Sequence, residues 1–178
     1  GKDQKQHLEV TRDIAVKMNE TFGPIFKLPE PSIREDAALV PGTNGAKMSK
    51  SYHNTIEIFA DEKTMKKKIM GIITDSTPVE APKDPQTNAI YQLYKLFTSA
   101  DEAAAMAEKF RVGGTGYGDF KKQLFATVWE YFAPMRTRRA ELAADPTHVD
   151  DILRRGAAHA NQLADTTMAR VETAVGLR

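Results

Sequence analysis

From Asp61 to the C-terminus, apolar residues recur at steps of three and four in one capped segment after another, a pattern that fits packed helices and little else. Asp61 stands at a capping position ahead of Met65, Ile69 and Ile72. Asp84-Pro85 offers a cap followed by proline at the first helical position, opening a segment with Ile90, Leu93, Tyr94 and Phe97 on one face. Ser99 and Glu102 have capping-box spacing before Ala103, Met106, Ala107 and Phe110. Gly113, Gly114, Gly116 and Gly118 then supply a permissive turn. Phe120, Leu124, Val128, Tyr131, Phe132 and Met135 line a long helix expected to bend near Pro134. Thr147 with Asp150 opens the last helix, which carries Val149, Ile152, Leu153, Ala160, Leu163, Thr167 and Val171.

The chain before Asp61 reads differently. Leu8, Thr11, Ala15, Met18 and Phe22 mark one face of a helix over 4–22, with Asp3 as cap and Gln6 completing a capping box. Gly23-Pro24 stops it. From Ile25 to Gly42, short apolar pieces (Ile25-Phe26, Leu39-Val40) punctuated by Pro29, Pro31 and Pro41 suggest a brief strand or extended connector. A polar loop over 43–51 precedes Thr55-Ile56-Glu57-Ile58-Phe59, read as a short strand or extended arm. The expected boundary lies near Ala60, with a mixed α/β part over 1–60 and an all-helical part over 61–178. The fold class is therefore mainly α.

Composition narrows the function classes. The 178 residues carry 25 Lys+Arg against 24 Asp+Glu, a net charge of +1, which argues against indiscriminate coating of nucleic acid. There is no cysteine, so disulfides, thiolate catalysis and Cys-ligated zinc are excluded. His7, His53, His148 and His159 include no i, i+4 pair, so no metal site is expected. No apolar run is long enough to span a membrane and no signal peptide opens the chain, making a soluble cytoplasmic protein the default. The start at Gly1-Lys2-Asp3-Gln4, without an initiator Met, reads as a cut inside a longer protein.

Chemistry concentrates in Lys47-Met48-Ser49-Lys50-Ser51-Tyr52-His53-Asn54-Thr55. Two lysines three residues apart on a polar loop can reach into a cleft together, and compact ammonium charges suit a polyphosphate whose negative charge grows during cleavage. Ser49 and Ser51 can donate to the same oxygens or cap the local turn. A generic Lys-x-x-Lys is mostly solvated surface. The whole string, however, resembles the KMSKS motif of class I aminoacyl-tRNA synthetases, and Gly1-Lys2-Asp3-Gln4-Lys5-Gln6-His7-Leu8-Glu9-Val10-Thr11-Arg12-Asp13-Ile14-Ala15 is similar to the GxDQ segment of the tryptophanyl enzymes. Thr74-Asp75-Ser76 and Gly113-Gly114-Thr115-Gly116-Tyr117-Gly118 resemble them too.

That resemblance, which covers essentially the whole chain, implies the C-terminal remnant of a Rossmann-type nucleotide-binding domain followed by a helical anticodon-binding bundle. Its last helix is one that can pack back on the catalytic part. It implies ATP as a substrate accompanied by Mg2+, with L-tryptophan and tRNA(Trp) as the other substrates and a homodimeric parent. Gly1, Lys2 and Asp3 would lie on the ATP side, with Asp3 accepting from a ribose hydroxyl, and Gln4 would meet the polar end of tryptophan. Lys47 and Lys50 would hold the triphosphate as pyrophosphate leaves, the Met48 backbone would lie near the adenine, and Ser49 and Ser51 would belong to the same nucleotide contact. The half of the family carrying its HIGH-like motif, and the acidic residue that reads the indole N–H, have no counterpart here, so the chain by itself is expected to be inactive. The competing reading is a non-enzymatic helical tRNA-binding or interaction module derived from a synthetase.

Three other clusters are read as structural. The glycines at 113–118 follow no strand, so they fit a helix-to-helix turn and not a phosphate cradle. Trp129, Tyr131 and Phe132 share helical spacing with Leu124 and Val128, which favours core packing over base stacking. The cations Lys63, Lys66, Lys67, Lys68, Arg136, Arg138, Arg139, Arg154 and Arg155 are read as solvated faces, some of which the resemblance would bring to tRNA.

Overall fold

Phe110, Leu124, Ile69 and Ile90 have no exposed surface, and Phe120, Met65, Met106 and Ile72 are 1% exposed. All eight are apolar positions of the helical pattern in the sequence, and together they form the core. The computed structural model describes residues 2–33 and 40–177, the Asp3 side chain excepted. By their contacts the residues fall into two compact units, one of 39–138 and one of 1–38 with 139–178.

The first unit holds α2 (Glu62–Met70), α3 (Ala89–Tyr94), α4 (Ala100–Val112), α5 (Tyr117–Tyr131) and the start of α6 (Ala133–Ala144). Helix α5 packs against α2 and α3, and α3 packs against α4. The Phe110 and Phe120 rings stack at 3.9 Å between centroids. Burying one such side chain contributes about 1.5–3 kcal/mol, so this stack and its neighbours dominate the unit's stability. Val40, Met48, Ile56 and Ala60 pack on the same core, so the unit runs across residue 60.

Two caps stand where they were expected. Asp61 accepts from the Thr64 N–H at 2.9 Å. Ser99 and Glu102 form a reciprocal capping box. The long helix breaks at Phe132, two residues before Pro134, which has no N–H to give the Glu130 carbonyl four residues back.

Other starts differ from expectation. Helix α3 begins at Ala89, capped by Asn88, because Asp84 instead accepts from the Gln86 N–H at 2.9 Å and the Thr87 hydroxyl at 3.1 Å, closing a local turn. Helix α7 (Pro146–Ala174) begins before Thr147: Asp145 accepts from the His148 N–H at 3.0 Å and Pro146 takes the first helical position.

The second unit contains α1 (Lys5–Phe22), the end of α6, and α7. Helix α1 is preceded by a 3₁₀ turn over Lys2–Gln4, and Gln4, not Asp3, is the capping residue, with no side-chain cap. The expected Asp3–Gln6 capping box rests on the Asp3 side chain, which lies outside the described residues. Gly23 ends α1 at φ +93°, and the Asn19 side chain then takes over the turn. It accepts from Ile25 and Phe26 N–H at 3.0 and 2.8 Å and donates to the Phe26 carbonyl at 2.8 Å. Arg170 of α7 donates to the Ile25 carbonyl, and Arg12 pairs with Glu30 at 2.7 Å. Only Ala15 and Ile25 are buried among the described residues of this unit.

No strand occurs among the described residues, which corrects the strand alternative over 55–59 and, over 25–33 and 40–42, the first one, whose residues 34–39 lie outside the described residues. Pro29 and Pro31 withhold two ladder donors from the first segment. The second closes on itself through Ala60 N–H to the Glu57 carbonyl at 3.2 Å. Sheet pairing among the described residues is limited to one antiparallel bridge, Pro41 to Lys47.

Candidate active site

The lysine loop is a closed backbone structure. The Met48 N–H donates to the Val40 carbonyl at 2.9 Å and the Gly42 N–H to the Ala46 carbonyl at 2.7 Å, so the two arms run side by side. At the tip the Gly45 N–H reaches the Gly42 carbonyl at 3.0 Å, with Gly45 at φ +79° in the last position of the turn, where glycine is preferred. Beyond Met48 the chain is extended at Ser49 and then makes a 3₁₀ turn over Lys50–Tyr52. Ser49 caps that turn by accepting from the Ser51 N–H at 3.3 Å. His53 leaves it at φ +51°, a left-handed conformation that histidine tolerates better than most residues.

Met48 and Ser49 form the half-buried middle of this stretch. Met48 is half-buried and packs on the helical core, while Lys47 and Lys50 on either side are exposed. The apolar anchor therefore leaves both cations facing water. Lys47 borders a concavity of about 290 Å³ with Pro41, Gly45, Thr87 and Gln92. A third cation joins the loop from α2, where Lys68 Nζ lies 3.5 Å from the His53 carbonyl.

Sequence reasoning missed what holds the loop. Asn54, 2% exposed, accepts from the Ser49 N–H at 2.8 Å and donates to the Lys47 carbonyl at 3.0 Å and Asn44 Oδ1 at 2.8 Å. Gly42 lies so close that a Cβ there would overlap the Asn54 amide. The signal was present in Gly42, Asn44, Gly45 and Asn54, residue types that organise turns, but no local spacing identifies which asparagine is buried.

The remaining candidates are on the other unit. Lys2 and Gln4 are exposed in the 3₁₀ turn, and Gln4 lines a concavity of about 310 Å³ with His7, Leu8, Thr11 and Ile33. Asp3 belongs to the same turn, and Gly1 lies outside the described residues. Beside it Lys5 pairs with Glu9 at 2.8 Å, which raises the Lys5 ammonium above its ordinary range.

The packing fits the reading of the glycines as a turn and of Trp129 and Phe132 as packed on the core, whereas Tyr131 is 46% exposed and Arg136, expected on a solvated face, is half-buried. Gly113 and Gly114 make the turn between α4 and α5, and the Gly114 N–H donates to the Val79 carbonyl at 2.8 Å. The face of Trp129 is covered by the Arg136 guanidinium at 3.5 Å, and Phe97 meets Tyr131 and Phe132 edge-on. Among the described residues no group of three or more His, Cys, Asp or Glu is gathered to hold a metal, and no helix is long and apolar enough to cross a membrane.

Comparison with known proteins bears on the same residues. The family described as tRNA synthetases class I (W and Y) matches residues 1–133. The chain is 48% identical to a tryptophan–tRNA ligase of Fusobacterium nucleatum, over 99% of this chain and 54% of that protein. It is 47% identical to a tryptophan–tRNA ligase of Rhodopirellula baltica, over 100% of this chain and 56% of the relative. Among solved structures it is similar to tryptophanyl-tRNA synthetase from Campylobacter jejuni, complexed with ADP and tryptophan, at a TM-score of 0.78 and 45% identity over 99% of this chain and 55% of that one. The chain spans about half the length of the relatives it matches.

Proposed function

The chain belongs to the class I tRNA synthetases of the tryptophan and tyrosine type, and from that membership we propose that it is part of a ligase that activates tryptophan with ATP and transfers it to tRNA(Trp). The observation that carries this reading is the loop of Lys47-Met48-Ser49-Lys50-Ser51, in which an apolar anchor leaves two flanking lysines exposed. The proposed functional division keeps residues 1–60 as the end of a Rossmann-type catalytic domain and 61–178 as the anticodon-binding bundle, in a homodimeric cytoplasmic parent.

The chemistry follows from charge. Attack of the tryptophan carboxylate on the α-phosphate forms a carboxylate–phosphate bond and breaks the α–β phosphoanhydride, and negative charge builds on the departing pyrophosphate. Lys47 and Lys50 supply positive charge where that build-up occurs, and such charge lowers the barrier most when its position is fixed beforehand. Magnesium travels with the triphosphate as part of the substrate. Lys2 and Asp3, with Gly1, take the ATP side, where the first turn of α1 offers N–H groups without a side-chain cap. Gln4, on the rim of its concavity, takes the polar end of tryptophan. Met48, Ser49 and Ser51 contribute mainly backbone and hydroxyl contacts to the nucleotide.

The test is ATP–pyrophosphate exchange by the full-length protein with each amino acid in turn. Exchange that depends on tryptophan is expected. Exchange driven by tyrosine instead would refute the assignment of substrate. Absence of exchange combined with tRNA binding would favour the non-enzymatic module.

A further inference from the structure

We propose that Asn54 is a positioning residue for adenylate formation, fixing the backbone from which Lys47 and Lys50 project; the inference rests on the role proposed above for those two lysines. Asn54 is 2% exposed although it follows the exposed run Lys50–His53. A buried amide is costly unless it is hydrogen-bonded. Here both Nδ2 hydrogens and Oδ1 have partners. The orientation of the amide is settled by those partners, since the Ser49 N–H can only donate and the Lys47 carbonyl can only accept.

These contacts bracket Met48. The amide grips the peptide on each side of it, at the Lys47 carbonyl and the Ser49 N–H, much as a neighbouring strand would. Ser49 in turn caps the 3₁₀ turn that begins at Lys50, so the grip at Ser49 sets the direction in which Lys50 leaves the loop. A Cβ at Gly42 would overlap the amide, so glycine is the residue that gives it room. The Asn54 carbonyl accepts from the Thr43 N–H at 2.9 Å, and the Thr43 carbonyl accepts from Ile73 N–H at 2.8 Å. Ile72, next to Ile73, is 1% exposed in the core. The loop is therefore referenced to the helical core through Asn54 and not only through Met48.

The test is a double-mutant cycle in the full-length protein, read by tryptophan-dependent ATP–pyrophosphate exchange. Misplacing a reacting group by about 1 Å can cost about 10²-fold, so Asn54→Ala should lower kcat by about that factor while tryptophan Kd is unchanged. In a Lys50→Ala background the same substitution should cost much less, because the group it positions is gone. Asn44→Ala, at an exposed position, removes one acceptor of the amide and should cost about five-fold, the worth of one ordinary hydrogen bond, again mainly when Lys50 is present. If Asn54→Ala loses the cooperative melt of the wild type, Asn44→Ala decides alone. Full additivity with Lys50→Ala, or unchanged kcat, would overturn the proposal while leaving the role of Lys50 intact. An unaffected Lys50→Ala would overturn the role of the lysines and this inference with it.

Discussion

The Tyr117 hydroxyl donates to Asp75 Oδ1 at 2.9 Å, joining segments 42 residues apart. Tyr117 opens α5, and Asp75 lies within the loop that leads from α2 toward α3. The same carboxylate oxygen accepts from the Thr77 N–H at 2.8 Å. The two short motifs that contain Asp75 and Tyr117 are thus one structural device.

This device makes stability depend on pH. Hydrogen bonds from Thr77, first its side chain and then its backbone, and from Tyr117 hold the Asp75 carboxyl below the usual carboxylate range. A depressed folded-state value means the unfolded chain binds the proton more readily, so the stabilisation is present above about pH 4 and disappears as pH falls through the folded value. Asp75→Asn keeps an acceptor oxygen but cannot titrate. Melting temperatures between pH 6 and 2.5 should fall less steeply for this variant than for the wild type. Parallel curves would show that Asp75 contributes nothing to the acid limb.

Lys83 is the second device in that loop. It is 5% exposed, and its ammonium donates to the Pro78, Val79 and Ala81 carbonyls at 2.9, 3.0 and 2.9 Å. Hydrogen bonds to charged groups each contribute about 1.5–3 kcal/mol, and removal leaves three carbonyls to find new partners. Lys83→Met should therefore destabilise the protein by at least about 1.5–3 kcal/mol in urea unfolding. A loss under about 0.5 kcal/mol, the size of an ordinary surface substitution, would contradict the clamp.

Gly113 has φ +80° and ψ −167°, a region almost reserved for glycine, and a Cβ there would overlap the Glu80 carbonyl. Gly113→Ala should cost at least about 1–3 kcal/mol for the backbone conformation alone. Gly118 is in α5 with open space around it, so Gly118→Ala should be neutral or stabilise by about 0.4–1 kcal/mol. Thermal unfolding of the pair gives the comparison, and equal shifts would contradict it.

Legibility in the sequence followed the range of the interactions. The caps at Asp61 and Ser99 and the buried faces of α2, α4 and α5 were readable because both the signal and the structure lie within a few residues. Asp84-Pro85 misled for the same reason: two capping candidates four residues apart offer equal local signals, and Asn88 caps the helix whose first residues, Ala89 and Ile90, are buried. The two lysines of the candidate site were legible as a motif, whereas the packing of Met48 on the helical core was not. The Asn54 clamp and the Lys83 carbonyl cradle were not, because each is made by a loop folding back on itself and no periodicity records that.

The 178-residue chain taken alone should show no tryptophan-dependent ATP–pyrophosphate exchange. Orientation of both reactants supplies about 7–11 kcal/mol of barrier lowering, and the chain spans about half the length of the relatives it matches. Salt-sensitive binding of tRNA by the chain is the expected residual activity. Exchange near the full-length rate would contradict the assignment.

Lys50 is proposed to act on the charge that develops as pyrophosphate leaves. The most direct test is the rate of adenylate formation by the full-length Lys50→Ala variant, measured together with tryptophan Kd. Loss of one preorganised transition-state charge predicts a rate lower by about 10²–10³-fold with Kd unchanged. An unchanged rate, or a loss of tryptophan affinity equal to the loss of rate, would contradict it.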